Sequence, residues 1–279
     1  MTLPITSAGS FAPIDRPSAF VLLSCAHGTM IVNKNDVQMI SEIVGYGVGW
    51  ELFQKGNFSV SEIGYLNELL IGRKDHFGPG VMALDCGANI GTHTLVWAHL
   101  MTGWGNVLAF EAQERIYYAL AGNLAINNCF NASARWCALG AQEGVISFEE
   151  PNPLIQSSFG SFEIGSSQTS QEHRSDGVRK LTPMTCIDSL GLGRVDLIKI
   201  DCEGMELEVL EGAKHTISRD HPILFIEFIK CDRGALQHIL VQAGYDFFQV
   251  DVNLLAVHQG DPLFRKVQAD MQASVKKPV

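Results

Sequence analysis

Apolar residues recur along this chain in short runs closed by acids or glycines, and the most sharply bounded run is Val81-Met82-Ala83-Leu84. It stops at Asp85 and passes through Cys86 into Gly87-Ala88-Asn89-Ile90-Gly91. An uninterrupted apolar run ended by turn residues predicts a strand covered on both faces, as in a parallel sheet. Thr92 is the expected N-cap of a following helix that presents Leu95, Trp97, Ala98 and Met101 to a core. The alternation continues with a strand over 107–111, a helix over 115–128 carrying Ile116, Ala119, Leu120, Leu124 and Ala125, and a strand over 132–139 closed by Gly140. Pattern resumes over 178–187 and in a second buried strand, 195–201, followed by a turn and an amphipathic helix over 202–213. A strand over 223–228, a helix over 235–243 and strands over 245–250 and 254–258 follow. Strands alternating with helices predict an α/β fold with a doubly wound, mostly parallel Rossmann-like sheet whose ligands lie at the carboxyl ends of the strands.

Upstream, Phe20-Val21-Leu22-Leu23 and Met30-Ile31-Val32, separated by His27-Gly28, predict a hairpin. A helix is expected from Asn35-Asp36 through Ile43, then a glycine-rich loop over 45–51, then a helix capped by Ser59 or Ser61 and running through Leu70. The expected organisation is an N-terminal α/β extension over 1–75 that covers the sheet, a main domain over 76–260 and a C-terminal tail over 261–279. Residues 1–18 lack periodicity and read as a loose lead-in. Residues 150–177, rich in Ser, Gly, Gln and Pro, read as a substrate loop or as disorder. The loop bearing Trp50 and Glu51 has the glycine-flanked aromatic and acid of many ligand-binding loops.

Composition narrows the function. At 279 residues and 46% hydrophobic, the chain can bury a large core, and no apolar stretch approaches the ~18–20 residues that span a membrane. The first residues show no secretory pattern, so a cytoplasmic location is expected. The seven cysteines include no Cys-x-x-Cys pair and suit reduced thiols rather than a disulfide or zinc framework. A net charge of −10, with no basic cluster beyond Lys276-Lys277, disfavours nucleic acid as a partner.

The glycine spacing selects the nucleotide. A dinucleotide fingerprint starting at Gly87 would need glycines at 89 and 92, where Asn89 and Thr92 stand. The middle glycine lets backbone approach a pyrophosphate. Its loss argues against NAD, and with it the competing reading of an NAD-dependent dehydrogenase, and leaves a turn suited to a phosphate-free ligand such as S-adenosylmethionine. Glu111 ends the next strand 24 positions past Gly87, close to the spacing at which an acid accepts the ribose hydroxyls.

Asp85-Cys86-Gly87-Ala88-Asn89-Ile90-Gly91, Phe110-Glu111, Asn123 with Asn127, and Lys199-Ile200-Asp201-Cys202-Glu203-Gly204-Met205-Glu206 with Leu210-Glu211-Gly212-Ala213 resemble the FkbM family of S-adenosylmethionine-dependent methyltransferases. The resemblance runs from about Gly49 to Tyr245. It implies a seven-stranded methyltransferase fold of class I type and O-methylation of a hydroxyl on a sugar or secondary metabolite. Ala112 departs from the proline common after the ribose acid, and Cys86 and Cys202 replace small aliphatic residues. Asp85 is expected to brace the glycine turn and to accept from the ligand's ammonium. In the implied fold Asp201 ends the strand beside the first and faces the departing methyl group, so Asp201 or Glu203 is the expected general base. Glu203 also suits a helix N-terminus by charge alone. Gly91, Thr92, Ala138 and Leu139 complete the expected cofactor set, and Trp50, Glu51 and Glu227 the acceptor set. Asp201 with Glu227 lacks a third oxygen ligand, so no metal is expected. The Asn-Pro-Pro-aromatic signature of nucleobase amino-methyltransferases is absent after the fourth strand. The acceptor is thus expected to be a small-molecule or glycan hydroxyl. The reading from a different class is a methyltransferase-like module that binds without turnover.

Overall fold

The computed structural model describes residues 17–41, 44–161 and 175–275. Its central sheet has seven strands: β1 (Val81–Cys86), β2 (Gly105–Glu111), β3 (Ala132–Trp136), β4 (Leu197–Ile200), β5 (Ile223–Glu227), β6 (Tyr245–Val250) and β7 (Asn253–His258), in the order 3-2-1-4-5-7-6. β3, β2, β1, β4 and β5 are mutually parallel, while β7 runs antiparallel to both β5 and β6. Alternation along β1 divides the core into two layers. Val81 and Ala83 join one hydrophobic cluster with Leu95 and Ile116, and Leu84 and Cys86 join another with Val209, Ile217 and Leu236. Burial on both faces explains why the strand sequences are continuous apolar runs.

The helices follow from this layering: α1 (Val48–Lys55), α2 (Val60–Phe77), α3 (Thr92–Leu100), α4 (Glu114–Ile126), α5 (Glu206–Glu211), α6 (Lys214–Asp220), α7 (Arg233–Gln242) and α8 (Phe264–Val275). Residues of α2, α3, α4 and α8 feed the first cluster, and those of α5, α6 and α7 the second. The first cluster contains Met30, Leu52, Leu66 and Leu70 from before the sheet and Leu263 and Val267 from after it. Arg73 of α2 is buried and pairs with Asp196, Nε to Oδ1 at 3.0 Å, and with Asp261. The stretch expected as a tail thus contains the helix α8, because Val267 finds apolar partners on the sheet.

The hairpin forms from Phe20–Cys25 and Gly28–Asn33. Asn123 and Asn127 of the resemblance motif hold its second strand, Gly28–Asn33. Asn123 accepts from the Ile31 N–H at 2.5 Å and donates to Ile90 O, while Asn127 accepts from Thr29 N–H and donates to Thr29 O. These side chains act as a surrogate strand that fastens the hairpin to the glycine turn.

Three expected elements are corrected. The helix from Asn35 is absent. The Asp36 carbonyl accepts from the Trp50 N–H, the Val37 N–H donates to Ser157 O, and Gln38–Met39 pairs with Gly45–Tyr46 as a short ladder, so distant partners take the backbone groups a helix would need, while the Asp36 carboxylate accepts from the N–H groups of Gly49 and Phe159; residues 42–43 lie outside the described residues. The expected third strand divides after Trp136. Ala138–Leu139 pairs instead with Met184–Thr185, in a small sheet formed with Gly144–Pro151 and Ser175–Thr185. Finally, α3 is capped by Gly91 in a left-handed conformation, φ 90°, with no side-chain cap, and Thr92 is its first residue. No helix among the described residues is long and apolar enough to cross a membrane.

Candidate active site

A cavity of ≈ 430 Å³ opens at the carboxyl ends of β1, β2, β4 and β5, within the usual ligand-pocket range of ~300–1,000 Å³. Its floor is the turn after β1. Gly87 has φ 78°, and a Cβ there would lie 1.8 Å from the carbonyl oxygen of Asp201, so the turn presses directly on the end of β4. Asn89 is also left-handed, φ 51°, and its side chain accepts from the Ile90 N–H. Backbone held in sparsely populated conformations by close neighbours is common at functional sites.

Glu111 forms the next wall. One carboxylate oxygen accepts from the Asn89 N–H at 2.9 Å and the other from the Gln113 N–H at 2.8 Å, which fixes both oxygens while leaving lone pairs for a ligand. Burial pushes its carboxyl up to about 7, with Asp201 adding to the shift and the backbone donors opposing it. Ala112, where proline was expected, is held by other means: its carbonyl accepts from Trp136 Nε1 at 3.1 Å and from the Thr182 hydroxyl at 3.4 Å. Ala138 and Leu139 line the cavity beside Glu111.

At the β4 and β5 ends the cavity is rich in charge. Lys199 Nζ donates to Asp201 Oδ2 at 3.0 Å. Burial disfavours the Lys199 ammonium, but Asp201, Asp85 and Glu62 outweigh it and raise its pKa, so it stays charged. Glu203, left-handed at φ 57°, is paired with Lys230. Burial foremost, and Asp201 next, push the Glu203 carboxyl up against the pull of that ammonium. Glu227 is raised to about 7 by burial and then by Asp201, with Lys199 and Lys230 opposing. Among the described residues no group of three or more His, Cys, Asp or Glu side chains is arranged to hold a metal ion.

The cavity gathers Glu51, Gly87, Asn89, Thr92, Glu111, Ala138, Leu139, Asp201, Glu203 and Glu227 from the residues expected on sequence. Three lie elsewhere. Asp85 sits beneath the wall, taking the Thr94 hydroxyl on Oδ2 at 2.5 Å, which suits bracing better than direct ligand contact. Gly91 lies against Leu120, where a Cβ would come within 2.6 Å, so it serves close helix packing. Trp50 is not on the wall, because α1 turns Val48 and Glu51, three residues apart on one helical face, toward the cavity instead. Glu51 itself is paired with Lys55 at 3.0 Å.

Other lining residues were not among the expected site residues; His93, which its place at a helix start would make a solvated or capping residue rather than a base, is buried in the wall. Lys199 lay within the resemblance motif without an assigned role, although a lysine two residues before a strand-end acid signals a same-face pair. Glu62, His93 and Asn253 form a network across the cavity: His93 Nε2 lies 2.7 Å from Glu62 Oε1, and Asn253 Nδ2 donates to Glu62 Oε2 at 3.3 Å. No local pattern signals it, since it joins α2, α3 and β7. Ser158, Phe159, Gly160 and Ser161, from the Ser- and Gly-rich stretch, close one side, tied by Gln113 Nε2 donating to Phe159 O at 2.8 Å. Residues 162–174 of that stretch lie outside the described residues.

The sheet order, the glycine turn and the strand-end acids define a Rossmann-like methyltransferase of class I type. Residues 85–255 match the model of the methyltransferase FkbM domain, and the chain belongs to that family. The methyltransferase sdnD of Sordaria araneosa is 31% identical over 158 residues, which is 46% of this chain and 59% of that protein. Among solved structures, the methyltransferase FkbM from Methylobacillus flagellatus KT is 20% identical over 64% of this chain and 44% of its own, with a TM-score of 0.47. Precorrin-6y C5,15-methyltransferase from Geobacter metallireducens GS-15 is 13% identical over 73% of this chain and 89% of its own, TM-score 0.41. An rRNA methylase from Streptococcus thermophilus is 12% identical over 71% and 93%, TM-score 0.39. The chain covers less than two thirds of the length of the Sordaria and Methylobacillus relatives.

Proposed function

We propose that this protein transfers the methyl group of S-adenosylmethionine to a hydroxyl of a sugar or other small molecule. The observation that carries the cofactor reading is the Glu111 carboxylate, fixed by the Asn89 and Gln113 N–H groups at the edge of a phosphate-free glycine turn. Gly87 lets the same turn lie directly against the Asp201 carbonyl, which brings the glycine turn and the end of β4 together on one cavity. Glu111 would hold the ribose, with the Asn89 turn, Ala138 and Leu139 around the nucleoside. The bound cofactor supplies an electrophilic methyl group on a positively charged sulfur. The chain's own contribution is to place the acceptor oxygen in line at ~3–3.5 Å, an entropic gain of up to ~7–11 kcal/mol, and to take the hydroxyl proton. Strand-end carboxylates support oxygen as the acceptor atom, because a hydroxyl must lose a proton to react and a positioned base adds ~10²–10⁴-fold. Lys199 orients Asp201 toward that end of the cavity.

Thermal unfolding tests this reading. S-adenosylmethionine or S-adenosylhomocysteine at 100 times its Kd should stabilise the protein by ~2.7 kcal/mol, whereas NAD should have no effect; stabilisation by NAD alone would overturn it. Transfer of radiolabel from S-adenosylmethionine to a neutral metabolite fraction then separates an enzyme from a binding module. Glu111→Ala removes charge-assisted bonds to the ribose worth ~1.5–3 kcal/mol, or roughly one to two decades in Kd. An unchanged calorimetric Kd would show that another group holds the ribose.

A further inference from the structure

Three carboxylates line the cavity beyond the ends of β4 and β5, and their partners differ. Asp201 is held by Lys199 and Glu203 by Lys230. The carboxylate of Glu227, which ends β5 one strand beyond Asp201, makes no hydrogen bond or ion pair among the described residues, although it lines the same cavity. From β4 it faces Asp201 and Lys199, from the following turn Glu203 and Glu206, from beyond its own strand Lys230; Asn253 and Glu62 close the same cavity.

We infer that Glu227, the cavity carboxylate without a cation of its own, is the group that answers to the charge of the cofactor, giving up a proton more readily when the bound ligand carries the sulfonium and so serving as the proton acceptor of the transfer. The inference rests on the cofactor reading above. Burial, and then the charge of Asp201, hold the Glu227 carboxyl near 7, with Lys199 and Lys230 opposing. A positive charge within ~4–6 Å favours the carboxylate and removes that penalty. The transfer step then balances without any other reactant. The acceptor O–H proton passes to Glu227, the oxygen lone pair forms the C–O bond, and the C–S bonding pair returns to sulfur. A carboxylate and a sulfonium become a carboxylic acid and a neutral thioether, so separated charge is lost from a water-poor site. The product complex leaves Glu227 protonated and the attraction for the cofactor gone.

Calorimetric titration of the whole protein with S-adenosylmethionine and with S-adenosylhomocysteine, in buffers of different ionisation enthalpy, counts the protons released and needs no acceptor. Glu111 also titrates near 7, but both ligands carry the ribose, so its contribution cancels in the comparison. Near pH 7 the sulfonium ligand should release about half a proton more than the thioether. Its affinity relative to the thioether should fall up to about tenfold for each pH unit below 7. E227Q should bind both ligands and remove the Glu227 share of the difference; any remainder in E227Q comes from the ligand's own amino group and is subtracted by comparison with the wild type. Equal proton release from the two ligands in the wild type would overturn the inference. So would a difference that survives undiminished in E227Q and disappears in E203Q. Failure of both ligands to bind the folded protein would instead overturn the cofactor reading, and this inference with it.

Discussion

Gly87→Ala is expected to abolish measurable cofactor binding and to destabilise the fold more than any other single substitution in the cavity. At φ 78° alanine takes left-handed strain of ~1–2 kcal/mol. The new Cβ would meet the Asp201 carbonyl oxygen at 1.8 Å, and that oxygen belongs to backbone, so no side chain can swing aside. Forcing the turn and the β4 end apart adds an overpacking cost of ~1–3 kcal/mol. The same movement separates Asp201 from the glycine turn, so the two sides of the cavity lose register. Urea denaturation and calorimetric titration with S-adenosylhomocysteine measure the two effects. Gly56→Ala is the control: it has φ 68° but nothing within 4 Å of its Cβ, so it carries the strain without the collision. Equal losses in the two variants would show that contact with Asp201 contributes nothing.

Arg73→Leu should cost ~3–5 kcal/mol of stability, because it leaves buried carboxylates without their cation. Asp196 retains Arg194 at 2.7 Å and the Met82 N–H, but Asp261 keeps only the Leu263 N–H among the described residues. The uncompensated charge therefore falls mainly on Asp261, and adding Asp261→Asn should recover part of the loss. The consequence reaches the cavity. Arg73 anchors α2 to the start of β4 and to the segment before α8, and α2 carries Glu62 to the cavity wall. Thermal unfolding with and without S-adenosylhomocysteine should thus show a lower Tm and a smaller ligand-induced shift. A loss under ~1 kcal/mol would show that water reaches these carboxylates and that the pair holds little.

The inner strands β1, β4, β5 and β7 were legible because they are buried on both faces, which leaves an apolar run that a single sequence displays. The turn at Gly87 and the acid at Glu111 were legible because a strand, a tight turn and the next strand end lie within a short stretch of chain, where spacing fixes geometry. Burial patterns in β1 and β4 follow directly from these runs. The exposed edges were less clear. Residues 132–139 read as one strand, yet only the position of Met184–Thr185 in space decides that Ala138–Leu139 leaves the central sheet. The helix expected at Asp36 likewise gave way to Trp50 and Ser157, which take the backbone groups of Asp36 and Val37.

In the cavity, the sequence determined which chemical groups arrive at the strand ends: Asp201, Glu203 and Glu227 each close or follow an apolar run. Their differences were decided only by tertiary structure. Lys199 holds Asp201 and Lys230 holds Glu203, while Glu227 is left to burial and to the field of Asp201. A carboxylate's readiness to take a proton depends on desolvation and on the charges around it, and both are properties of the assembled site. The Glu62–Asn253 contact joins residues 191 positions apart. Local spacing fixes a turn because few bonds intervene, whereas that contact exists only once the whole sheet has placed α2 beside β7.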